Sequence, residues 1–208
     1  MGRKCLFEVD GIVRVRAQKV EGSDFDIWVQ DTSKKIRDTV STIEKNLNNL
    51  DGYSIPKIVV LKKSKLHGFA GYNYKKDILF VSDVLNSDQL FSNILADGYF
   101  AARNVRDTLV HELTHKRHWD SAKRFYKAYK KSYNTIEEAM FALNTSLYSY
   151  VKGQMNCDFN YLLKISPNVE DAFRMGNVNE LVADVAVLGA KNVDPALFQK
   201  VEEVCSWK

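Results

Sequence analysis

Residues 5–17, CLFEVDGIVRVRA, alternate apolar and polar side chains on either side of Asp10-Gly11. A period of two belongs to a strand with one buried face, and Asp-Gly favours a two-residue type I′ turn. The pattern predicts a hairpin, followed by a short strand in FDIWVQ. At Ser33 the period changes. Ile36, Val40, Ile43, Leu47 and Leu50 recur at four and three residues, the apolar stripe of an amphipathic helix. Asp31, Thr32 and Ser33 supply capping side chains before it, and Asp51-Gly52 ends it.

PKIVVLKK then reads as a short β-branched strand. GYNYKKDILFVSD is expected to be one more, its polar first half and two lysines suiting the edge of a sheet. Beyond it the apolar positions keep helical spacing, which predicts helices over roughly 86–97, 104–119, 121–131, 135–152, 169–175, 178–190 and 195–205. This order predicts an α+β fold: a small mixed sheet with a crossover helix, then a mainly helical half. We expect one domain over 1–208, with N-terminal strands in 1–30, sheet and crossover helix in 31–103, and a helical part in 104–208.

Composition adds little. Of 208 residues, 45% are hydrophobic and 27% charged, as in an ordinary globular domain. A net charge of +4 does not call for nucleic acid, and LKKSKL and KRFYKAYKKSYNT are expected to be solvated faces with the aromatic residues turned inward. No apolar run has the length of a membrane span or a signal-peptide core, so a cytoplasmic location is expected. Cys5, Cys157 and Cys205 are few and scattered, which argues against a disulfide framework.

The chemistry is concentrated in HELTH, residues 111–115. On a helix His111 and His115 lie about 40° apart and one turn along the axis, so both can reach one tetrahedral metal. Glu112 lies about 100° round from His111, badly placed as a ligand but able to take a proton from a water at the metal's open position. His118 shares the face of His111 but sits about 10 Å along the axis, too far for the same ion; it is read as a rim residue or plain surface. His67, in KLHGF, has no motif around it.

A third ligand is sought in GNVNELVADVAVLGA. Glu180 and Asp184 share a helix face, and Asp184 is surrounded by Leu181, Val182, Val185, Val187 and Leu188. A carboxylate in so apolar a run needs a partner, and the N–H of a metal-bound histidine is one. Asn177 with Glu180 also fits a capping pair, which accounts for Glu180 but not for Asp184.

HELTH followed by NELVAD resembles the gluzincins, the thermolysin-like branch of the zincin metallopeptidases. The resemblance implies a zincin-like fold, Zn2+ held by His111, His115 and Glu180, Glu112 as general base and Asp184 orienting a histidine ligand. It implies a zinc metalloendopeptidase whose peptide or protein substrate adds to an edge strand near 72–81. The glycine and third histidine of metzincins are absent after HELTH. The family's oxyanion-stabilising Tyr or His has no motif here, Tyr148 and Tyr150 being candidates. The alternative is a non-catalytic module of the same fold that binds assembly partner proteins, as in a phage particle, in which case it would reside in the virion. The richness in Lys, Asn and Tyr is the compositional hint for that source.

Overall fold

The computed structural model describes residues 4–9, 11 and 13–208. The fold is α+β, with a six-stranded mixed sheet and eight α-helices among the described residues. Contacts gather into two compact units. One comprises residues 1–96 with 104–113, the other 97–103 with 114–208.

The first unit holds the sheet. β1 (Lys4–Val9) and β2 (Val13–Lys19) form the expected hairpin, and Val9 pairs with Val13. The two-residue turn expected at Asp10-Gly11 falls partly outside the described residues. Gly11 takes φ +74°, and Asp10 and Ile12 lie outside the described residues. β3 (Ile27–Val29) follows, then the crossover helix α1 (Lys34–Leu47), then β4 (Lys57–Leu61) parallel to β3. The stripe predicted for α1 is the face it buries, since Ile36, Val40, Ile43 and Leu47 are all inside. Its cap differs from expectation. Ser33 occupies the N-cap position without a side-chain bond, while Asp31 Oδ1 accepts from Ser33 N.

The segment 71–83, expected as one edge strand, falls in a hairpin of β5 (Ala70–Asn73) and β6 (Ile78–Ser82). The two lysines lie in its turn, where Asp77 adopts φ +51° and Asn73 Oδ1 accepts from the amides of Lys75 and Lys76. The sheet order is β1-β2-β3-β4-β6-β5, so β5 is the edge and β6 an interior strand parallel to β4. The edge expected near 72–81 is thus 70–73 alone. Polar and apolar halves sort by position: β6 is buried throughout, β5 half-buried. One face of the sheet buries Phe7, Val9, Val15, Trp28, Val59 and Phe80 as a continuous core. Helix α2 (Asp88–Ile94), capped by Ser87, and the first turns of α3 (Val105–Ala128) complete this unit.

The helix α3 is unbroken, where two helices meeting near 120 were expected. Asp120 and Ser121, at the expected break, both find helical roles. Asp120 pairs with Lys116 and Lys123, and the buried Ser121 hydroxyl accepts from Trp207 N. The second unit contains the rest of α3 with α4 (Ile136–Leu143), α5 (Thr145–Cys157), α6 (Pro167–Arg174), α7 (Asn179–Leu188) and α8 (Pro195–Cys205). The single helix expected over 135–152 is two, divided at Asn144, whose side chain is drawn to His118. The core of this unit is Leu147, Val151, Leu162, Phe173, Leu181, Val182, Val185, Leu197 and Val201. In the basic-aromatic stretch, Phe125 packs its ring against Tyr129, Tyr133 and Trp207. Among the described residues no helix is long and apolar enough to cross a membrane.

Candidate metal centre

Helix α3 begins at a capping bond from Asp107 N to Asn104 Oδ1, and its regular turns carry His111 and His115 one turn apart. Helix α7 brings Glu180, in its first turn, to the same place. His111, His115 and Glu180 each offer a ligand atom, and these atoms all lie within 4.8 Å of one another. His115 Nε2 is 3.5 Å from Glu180 Oε1, with the two side chains 13% and 25% exposed. Two donors bound tetrahedrally at 2.0–2.1 Å lie about 3.4 Å apart, so this spacing already suits a shared ion. Two imidazoles and one carboxylate are the donor set of catalytic zinc sites, and a fourth position is left for water or substrate.

The carboxylate of Glu180 is held from its other side. Asn168, in the first turn of α6, donates from Nδ2 to Glu180 Oε2 at 3.2 Å. The capping alternative for Glu180 has a local substitute. Asn177 Oδ1 accepts from Asn179 N at 2.9 Å, and the N-cap position, Val178, makes no side-chain bond.

Glu112 is 8% exposed, and its Oε2 accepts from the backbone N–H of Tyr72 at 2.9 Å. The carboxylate next to His111 is therefore tied to the edge strand β5 by a main-chain donor.

Asp184 is fully buried, as the apolar run around it implied. Its Oδ2 accepts from Ser166 Oγ at 2.6 Å and from Ala101 N at 3.4 Å. Ser166 does two things at once, since its Oγ also accepts from Val169 N and so caps α6, the helix that carries Asn168. One buried carboxylate thus fixes the start of α6 and the loop 97–103.

His118 is not a rim or surface residue. It is completely buried, Nε2 lies 2.8 Å from Asn144 Oδ1, and Nδ1 has no partner among the described residues. Burial drives its pKa down from 6.5 to about 4, so the ring is neutral at ordinary pH. Since an amide oxygen only accepts, Nε2 carries the proton. His67 is exposed in a turn. Tyr148 stacks on Phe173 at 5.0 Å, and Tyr150 donates to Asp194, the N-cap of α8.

Asn168, Ser166 and Tyr99 were missed by sequence reasoning. Tyr99 donates to Asp171 Oδ2 at 2.7 Å, and its backbone oxygen accepts from Asn168 N at 3.0 Å. The hydrogen bond to Asp171 raises the Tyr99 pKa, burial adds to it, and the charges of Asp171 and Glu180 contribute. SPNVED was readable as a Ser-capped helix start; nothing local marked Tyr99. The site is thus a candidate metal centre on an α+β chain. No protein-family model matches this chain, nor does any curated protein or solved structure.

Proposed function

We propose that this chain is a zinc-dependent metalloendopeptidase with a zincin-like fold. The observation that carries the reading is the convergence of His111, His115 and Glu180 donor atoms within 4.8 Å, with Glu112 beside them on the same helix. The donor set and spacing fit zinc better than magnesium or calcium, which take mainly oxygen ligands. Zinc, when bound, supplies a Lewis acid that brings the pKa of a water towards neutrality and polarises a carbonyl. The chain's own residues do the rest. Glu112 accepts the proton of the attacking water and passes it to the departing amine as the peptide C–N bond breaks. The Tyr72 N–H holds one Glu112 oxygen, which limits the carboxylate's rotation. Asn168 does the same for Glu180, and Asp184 orients the surrounding backbone through Ser166 and Ala101. An extended peptide substrate pairs with the outer edge of β5.

The test is elemental analysis of protein purified without chelator, followed by peptidase assay. About one zinc per chain is expected, with clearly less in Glu180→Ala and undiminished metal in an inactive Glu112→Gln. A well-folded parent that binds no metal would sink the reading. Zinc without turnover in the parent leaves instead a metal-binding module that assembles with other proteins.

A further inference from the structure

A cavity of about 360 Å³ in the second unit has no part in the chemistry above. It lies among α3, α4, α5 and the turn before α7. Trp119, Met140, Phe141, Tyr148 and Met175 are among its lining residues, and Asn144 is another. Two of these side chains are conspicuously outside: Phe141 is 73% exposed and Met175 80%. Tyr148 is fixed by stacking on Phe173, so that wall is rigid.

Asn144 is only 5% exposed, yet it lines the cavity. Its Oδ1 is committed to the buried His118. Its Nδ2 has no hydrogen-bond partner among the described residues and is not sealed from solvent-sized space, so it is the atom the amide presents to the cavity. Water can reach this N–H, and a ligand acceptor held against the cavity wall takes the place of that water. The other polar lining residues include Thr145 and Asn177, which spend hydrogen bonds locally, on Phe141 O and Asn179 N. The cavity therefore offers three aromatic rings and two thioethers beside the Asn144 donor, whose direction the bond to His118 sets. Aromatic and thioether walls favour a flat ring, and the donor favours a ring that carries an oxygen.

Its position is informative. Trp119 follows His115 by one turn on the same face of α3, about 6 Å along the axis. Asn179 directly precedes Glu180 on α7. The candidate ligands His115 and Glu180 thus sit on helices that wall the cavity.

We propose that this cavity recognises a phenol-bearing side chain, tyrosine, of the peptide substrate, with Asn144 Nδ2 donating to the phenol oxygen. That the phenol belongs to a substrate rests on the peptidase reading; that the cavity binds a phenol does not. The neutral His118 ring sets the direction of the amide, which makes it a positioning residue behind the pocket.

The first experiment needs no turnover. The full chain is titrated with p-cresol and with toluene, the side-chain analogues of tyrosine and phenylalanine, while the side-chain amide of Asn144 and the indole of Trp119 are followed by NMR. We expect p-cresol to bind about fivefold more tightly, the weight of one neutral hydrogen bond, and to move the Asn144 amide signals. Asn144→Ala is expected to bind the two probes equally. Should that variant fail to fold, Met175→Glu, an exposed rim change, is expected to weaken both probes alike while the parent's Asn144 signals still report the donor. Equal binding by the parent, or Asn144 signals that do not move, would overturn the proposal. Paired peptides differing only in Tyr or Phe then separate the two readings. Cleavage without a Tyr preference overturns the substrate assignment and leaves the peptidase. Binding of p-cresol with no peptidase activity overturns the peptidase and leaves the pocket.

Discussion

β4 and β6 bury Ile58 to Leu61 and Ile78 to Val81 with no polar side chain among them. Helix α7 buries a run just as apolar, Leu181, Val182, Ala183 and Val185, but sets the fully buried Asp184 inside it. The strands can be purely apolar because their backbone groups are spent on their neighbours and nothing else is asked of them. Helix α7 likewise satisfies its own backbone, so Asp184 is not needed for the helix. It serves the groups around it, since it accepts from Ser166 and Ala101. A buried carboxylate is tolerated where it satisfies donors that would otherwise be stranded. The contrast separates a close-packed run that packs alone from one that also supplies an acceptor to other segments.

The sharpest way to break this comparison is at the carboxylates that would do chemistry. Glu112→Gln keeps the shape of the side chain and an acceptor for Tyr72 N. On the proposed peptidase reading it removes the base, and peptide hydrolysis is then expected to fall by roughly 10²–10⁴-fold with metal content unchanged. An equal loss of metal would place Glu112 among the ligands instead. Glu180→Ala is expected to do the opposite. Changing a group that merely supports a ligand typically costs about 10–100-fold in metal affinity, so removing a ligand should cost at least ~100-fold. Competition with a chromogenic chelator measures it, and an unaltered affinity would leave only the two histidines as ligands.

Most of this arrangement was legible in the sequence where one element carried the whole signal. HELTH spaces two histidines by a helical turn, and the helix delivers that spacing whatever surrounds it. The apolar stripe of α1 was readable for the same reason. The failures share a cause. Whether 71–83 is one strand or two depends on Asn73 gathering the amides of the turn, and on β6 being covered on both sides. Whether α3 stops at Asp120 depends on Lys116, Lys123 and Trp207. His118 reads in the sequence as a rim residue or plain surface because it lies too far along the axis from His111 to share its ion. Only the approach of Asn144, far along the chain, makes it core. Asn168 and Ser166 have sequence signals for a helix start, but no signal that the helix start faces Glu180 and Asp184.

A matched pair of deletions sharpens the contrast. Ile58→Ala removes purely apolar contacts at a fully buried site and is expected to cost about 2–5 kcal/mol in urea unfolding. Asp184→Ala leaves the Ser166 hydroxyl and the Ala101 amide without their acceptor and is expected to cost about 2–4 kcal/mol. The two differ in what restores them. Asp184→Asn keeps an acceptor oxygen and should recover about half the loss, roughly 1–2 kcal/mol, whereas an apolar Asp184→Leu should not. If Leu restores stability as well as Asn does, Asp184 is serving as filler, and its resemblance to the β4 interior is complete.

His118 makes the finest test, because its effect appears only as a change with pH. The folded protein holds the ring neutral down to about 4, since burial penalises the imidazolium and the bond to Asn144 offsets only part of that. The unfolded chain takes up a proton at the ordinary 6.5. Between these values the unfolded state binds the extra proton, so stability rises with pH. The contribution of His118 is fully present above 6.5 and is lost as pH falls towards 4, by on the order of 3 kcal/mol across the window. The measurement is a difference between two proteins, so that contributions common to both cancel. Urea midpoints for metal-free parent and His118→Gln are compared at pH 7, 6 and 5. Gln can still donate to Asn144 Oδ1 but cannot become a cation. The parent should lose more stability on acidification than the variant, with most of the gap opening between pH 6 and 5. Parallel pH profiles would mean that the imidazole is protonated without unfolding, and that the core around Asn144 opens to water more readily than its burial implies.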